Sequence, residues 1–226
     1  MPTVPNGVPG PAGGENKPQV KGTTTMRVAY LAAAAALGLL PMVALGAPDP
    51  KLIESCHDCH GANGITTAQD VPTIAGVSAT VQSDALKAYK AKARPCTKVN
   101  YKRGDTKRQG DMCSVAKDLT DAQITDLAGY FAGKPYAALK QPFDAAKAAA
   151  GKQIHDRDCK KCHSSGGKDP ADDAGILAGQ PAGYLKSALE AYRKGTIEQP
   201  KNMKSVVTKL SDADVEALAH YYASEQ

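Results

Sequence analysis

An all-α chain of two tandem, similar domains is what this sequence predicts, on three observations. The stretch Cys56-His57-Asp58-Cys59-His60 returns as Cys159-Lys160-Lys161-Cys162-His163. Apolar residues recur at matching distances from His60 and from His163, in pairs spaced as on one face of a helix. The third observation is a shortage. With no Trp and only two Phe in 226 residues, aromatic side chains cannot fill a large core, so domains this small need another source of apolar surface.

The repeated motif supplies one. In C-x-x-C-H, two thiols three positions apart can bond to the two vinyl groups of one haem while the adjoining imidazole reaches the iron. A lone C-x-x-C also suits a redox dithiol or half a zinc site. Two copies, each ending in His inside a duplicated framework, favour haem. Cys56, Cys59 and His60 then hold one covalent haem c, and Cys159, Cys162 and His163 a second. The porphyrin faces provide the missing apolar surface.

Charge and motifs narrow the function classes. The formal net charge is +5, and residues 1–47 contribute Lys17, Lys21 and Arg27 against Glu15, so without them it falls to +3. Ionised haem carboxylates bring that close to neutral, which does not indicate nucleic-acid binding. The sequence contains neither a Gly-rich phosphate loop nor a nucleophile elbow, and no catalytic residues are assigned.

Taken in order, residues 1–25 are rich in Pro, Gly and Thr without an apolar period, and read as a disordered or over-called extension before a true start at Met26. Met26-Arg27 opens an apolar run ending in Ala44-Leu45-Gly46-Ala47, which reads as an export signal over residues 26–47 and places the mature chain in the periplasm. A membrane anchor is the alternative reading of that run. If the leader is cleaved, no stable membrane insertion is expected.

The first domain is expected over residues 48–132 and the second over 143–226, with 133–142 as a linker bracketed by Gly133-Lys134-Pro135 and Pro142. Ile74-Ala75-Gly76 stands at the same distance from His60 as Leu177-Ala178-Gly179 from His163, and Leu86 and Tyr89 match Leu189 and Tyr192. Counted from Met112, the positions of Val115, Leu119, Leu127 and Tyr130 match those of Val206, Leu210, Leu218 and Tyr221 counted from Met203. Each closing helix opens on a capping signal: Thr120 with Gln123, and more loosely Ser211 with Asp214. Phe143 to Asp158 reads as the opening helix of the second domain.

An iron held by one His takes a second axial ligand if it is only to transfer electrons, and a Met thioether raises its potential. Of five Met, Met1, Met26 and Met42 fall in the leader. That leaves Met112 and Met203, in matched register, as partners of His60 and His163. His57, His155 and His220 are assigned surface or packing roles. The first domain carries an insertion between Tyr89 and Met112, flanked by the two remaining cysteines. In an oxidising compartment Cys96 and Cys113 are expected to pair, closing a loop of about 18 residues worth around 3 kcal/mol. The insertion is basic from Lys87 to Arg108 against Asp105 alone, a solvated face or a rim that steers acidic partners towards the first haem.

With these residues in hand, the chain resembles the tandem dihaem class I cytochromes c, and in particular the cytochrome subunit of flavocytochrome c sulfide dehydrogenase. Gln141-Pro142-Phe143-Asp144, His155-Asp156, Gly166-Gly167-Lys168, Ile176 to Gln180 and Tyr222-Ala223-Ser224 carry the resemblance around the second motif, and Met112 through Phe131 carry it in the first half. It implies two class I cytochrome c domains, with the Pro72 carbonyl supporting His60. Gly175 stands where the second domain would have that Pro, so unequal haem potentials are expected. It also implies a separate FAD-containing flavoprotein that oxidises sulfide and passes electrons through this subunit to a soluble acceptor. The alternatives are a free dihaem shuttle delivering electrons to a membrane terminal oxidase, and a haem enzyme with an open iron site.

Overall fold

A computed structural model describes residues 48–226, and these fall in one compact unit. The expected extension and signal segment lie outside the described residues. The order is α1 Pro50–His60, α2 Ala79–Lys90, β1 Val99–Asn100, β2 Gln109–Gly110, α3 Met112–Ala116, α4 Asp121–Ala132, α5 Ala145–Ile154, α6 Ala182–Arg193, α7 Lys201–Val207 and α8 Asp212–Ser224. The two short strands pair antiparallel within the insertion of the first half, Val99 opposite Gly110.

Each half builds its own core from the same register. In the first, Ala116, Leu119, Ile124, Leu127 and Phe131 are buried, with Leu52, Ile53, Ile74, Leu86 and Tyr89 against them. In the second, Ile154, Leu185, Leu210, Val215, Leu218, Tyr221 and Tyr222 are buried, with Leu177, Leu189, Tyr192 and Met203 packed on them. Both closing helices start on a complete capping box. The Thr120 hydroxyl accepts from Gln123 N while Gln123 accepts from Thr120 N, and Ser211 and Asp214 exchange the same two bonds.

The halves meet along a connection that uses two matched glycines. Gly76 donates its N–H to Phe131 O at 2.9 Å and Gly179 to Tyr222 O at 2.7 Å, tying each loop to the end of its closing helix. Both take a positive φ, 70° and 69°, and a Cβ on either would strike the connection, at Tyr136 or Ala138. The segment between α4 and α5 therefore lies flat against both halves. Tyr136 donates its hydroxyl to Ala178 O at 2.6 Å, and Leu139 N donates to Gly179 O at 2.8 Å.

Candidate haem sites

The first attachment motif ends α1. Asp49 caps the helix by accepting from Lys51 N, Pro50 starts it, and Gly61 at φ 78° stops it directly after His60. Cys56, Cys59 and His60 thus share one face, at i, i+3 and i+4. His60 is buried, and its Nδ1 donates to the Pro72 carbonyl at 2.8 Å, which leaves Nε2 as the ring nitrogen with a free lone pair. Burial lowers the His60 pKa, with the Pro72 carbonyl opposing.

The second motif is reached differently. Asp144 caps α5 by accepting from Lys147 N, and the helix widens at His155–Cys159 into one π-helical turn closed by Lys160 N donating to His155 O at 2.9 Å. His155 is buried at 1% exposure and pairs through Nδ1 with the Tyr222 hydroxyl at 3.0 Å, so its role is packing. His163 faces the Gly175 carbonyl, but its buried Nδ1 closes no hydrogen bond. Burial lowers its pKa, and the nearby Gly175 carbonyl and Asp172 only partly oppose this.

Burial pushes the Cys56 thiol up to about 11 and also raises Cys59 and Cys159. Reactive dithiols need the opposite shift, so the burial of these sulfurs does not favour a redox pair. Cys96 and Cys113 form a disulfide, and the nearby Asp111 caps α3 through Ser114 N. Cys96, Asp111 and Cys113 are the one close group of three metal-type side chains among the described residues, and they do not make a four-ligand zinc site. Met112 is the first residue of α3, and Met203 lies within α7, half-buried against the second core.

The residues present fit haem, and the clearest sign is one that sequence reasoning missed. Arg94, placed above in the basic run, has its guanidinium 4.9 Å from the Tyr89 ring centre and close to Tyr184 and Tyr192 of the second half, with a buried Nε that has no partner. A half-buried cation among tyrosines is stabilised by an anion, and the carboxylates of a haem are of the right kind. Gln180 was also missed as a bridge: its Oε1 accepts from Thr73 N at 2.9 Å and its Nε2 donates to Thr73 O at 2.8 Å. It grips the residue next to Pro72. The only signal was a break in the repeat, since Val77 holds the matching place in the first half.

The insertion turns back on its own half. Lys102 and Arg103 both donate backbone N–H to Asp58 O, Lys102 pairs with Asp70 at 2.7 Å, and Arg103 pairs with Glu54 and Asp58. Arg108 stacks on Tyr101 at 4.3 Å. Much of the basic run is therefore spent internally, not displayed as a rim. Among the described residues, no helix is long and apolar enough to cross a membrane.

Comparison with known proteins agrees with this geometry. The Cytochrome c family model matches residues 50–133 and 148–224. A thiosulfate dehydrogenase electron acceptor of Thiomonas intermedia is 28% identical over 188 residues, 78% of this chain and 81% of that protein. Cytochrome c4 of Pseudomonas aeruginosa is 30% identical over 182 residues, 74% of this chain and 81% of that protein. The solved structure of cytochrome c4 from Acidithiobacillus ferrooxidans superposes with a TM-score of 0.62 at 28% identity, covering 76% of this chain and 99% of that one. The chain belongs to the cytochrome c family, as an electron-transfer protein of two tandem cytochrome c domains carrying two covalent haem c groups.

Proposed function

We propose that this protein is a periplasmic electron carrier that accepts electrons from a sulfur-compound dehydrogenase and hands them to a separate acceptor. The observation that supports it most is the junction: Gln180 of the second half grips Thr73 beside Pro72, and Arg94 of the first half reaches Tyr184 and Tyr192 of the second. These contacts join the two halves beside both sites, as a two-centre relay needs. Thiosulfate dehydrogenase is the proposed donor, because the Thiomonas intermedia relative, aligned over both domains, is a thiosulfate dehydrogenase electron acceptor. The second donor reading is an FAD-containing sulfide dehydrogenase, favoured by the motifs around Gln141, His155 and Gly166.

When bound, each haem supplies one-electron chemistry at its iron. Cys56 and Cys59, and Cys159 and Cys162, would anchor the two groups, and His60 and His163 would offer an imidazole nitrogen to each iron. Met112 and Met203 are proposed as the thioethers that would complete the two iron sites. Pro72 fixes the tautomer and ring plane of His60. Arg94 is placed to neutralise haem carboxylates at the junction. The proposed domains span 48–132 and 143–226, joined by 133–142, with 1–25 an extension and 26–47 a cleaved export signal.

The test mixes the oxidised protein with either dehydrogenase and its substrate and follows the visible spectrum. Reduction by thiosulfate dehydrogenase with thiosulfate supports the first donor. Reduction only by the sulfide flavoprotein with sulfide replaces it with the second, and reduction by neither overturns both.

A further inference from the structure

The two attachment motifs use their inner residues in opposite ways. In the first, His57 is buried edge-on against Phe131 at 6.0 Å, and Asp58 receives the Lys102 and Arg103 backbone and the Arg103 side chain. The hairpin formed by β1 and β2 is thereby strapped to α1 at Asp58, beside Cys59. Disulfide Cys96–Cys113 ties the base of the strap to α3. In the second motif the same places hold Lys160 and Lys161, both exposed and neither in an ion pair, and Cys162 beside them is exposed as well. The acidic neighbours there are already taken, Asp156 by Lys152 and Asp158 by Arg157. Nothing equivalent to the hairpin lies between α6 and α7.

We propose that the second half is the port through which this protein exchanges electrons with an acidic redox partner, docked over Cys162 on Lys160 and Lys161, and that the hairpin closes the corresponding approach to the first half. Electron transfer requires a partner to come close to a covalently bonded haem, and the strap lies beside Cys59 with no counterpart beside Cys162. Free cations at the open edge attract an acidic face, whereas Lys102 and Arg103, the strap cations beside the first motif, are spent on Glu54, Asp58 and Asp70. The inference rests on the electron-transfer role and not on which dehydrogenase is the donor, so it stands or falls separately from the donor assignment.

The test uses the reduced holoprotein and hexacyanoferrate(III), a small anionic oxidant. Each ferrous haem gives one electron to one hexacyanoferrate(III), yielding hexacyanoferrate(II). Stopped-flow rates are compared for wild type, Lys160→Glu/Lys161→Glu, and Lys98→Glu/Lys107→Glu, which makes the same charge change on the outer strap. The first variant is expected to slow oxidation about tenfold at low ionic strength and flatten its salt dependence, and the second to change it less than about twofold. Equal slowing in both variants, or slowing only in the strap variant, overturns the proposal. Acetylation of lysines in the intact holoprotein gives an independent readout: Lys160 and Lys161 should react well before Lys102, and the reverse order overturns the strap.

Discussion

The two halves start from one pattern and spend it differently. In the first, α1 begins only six residues before Cys56, and stability is gathered from outside the repeat: the strapped hairpin, the Cys96–Cys113 disulfide, and Gln180 reaching across from the other half. In the second, α5 begins well upstream of Cys159 and crosses α8 closely at Gly151, so the half is held mainly by helix packing, with the His155–Tyr222 hydrogen bond and the Glu216 ion pairs across it. A duplicated haem domain can thus reach similar architecture by two routes. One leaves its attachment face covered and the other leaves it open.

The largest test of this difference is removal of the disulfide. Cys96→Ser with Cys113→Ser should destabilise the first half by about 3 kcal/mol, the chain-entropy value for a loop of this length. Chemical denaturation followed at the haem bands is expected to split into two steps, the first half unfolding earlier. A single unsplit transition at the wild-type midpoint would show that the hairpin is held by the Lys102 and Arg103 contacts without the bond.

The reciprocal test strikes the second half. A Cβ on Gly151 would run into the Ala217 carbonyl, and Tyr221 Cβ lies 2.8 Å away, so the helices must separate. Gly151→Ala is expected to cost roughly 2–3 kcal/mol, the range for forcing extra volume into a packed contact, and to lower the melting step of the second half while leaving the first in place. Were both steps to fall together, the halves would share one cooperative unit.

These asymmetries also mark what could be read from the sequence. The matched distances from His60 and His163, and from Met112 and Met203, were legible because each is local. Leu119 and Leu210, and Leu127 and Leu218, are buried at corresponding places in the two cores, and the capping signals at Thr120 and Ser211 both form. The Cys96–Cys113 pairing came from a count of cysteines, and the His60 to Pro72 bond from the resemblance to class I cytochromes c. Hidden from it was whatever joins distant positions. Gln180 meets Thr73 at a separation of 107 residues, and no local period encodes that. Arg94 looked like one more charge in a basic run, because burial among three tyrosines from two halves is a property of the junction. The π-helical turn at His155–Cys159 was likewise invisible, since Phe143 to Asp158 has the composition of one regular helix.

The finest discrimination between the halves concerns their histidines. His60 gives its Nδ1 proton to Pro72, and that carbonyl is held in place because Gln180 closes both backbone bonds of Thr73 next to it. His163 has no such bond. A proton-sharing imidazole is the more basic ligand and favours the oxidised iron, so the first haem should have the lower potential and electrons should settle on the second, the open side. Gln180→Ala removes the brace. Water entering the emptied site can take up much of the loss, leaving roughly 1–2 kcal/mol of destabilisation, but a carbonyl free to drift supports His60 less well. A redox titration of wild type should therefore resolve two one-electron steps, and the variant should raise the lower step towards the upper without moving the latter. If both steps shift equally, Gln180 acts on the junction as a whole; if neither shifts, the Pro72 carbonyl is fixed by its own loop and the difference between the halves lies at Gly175 alone.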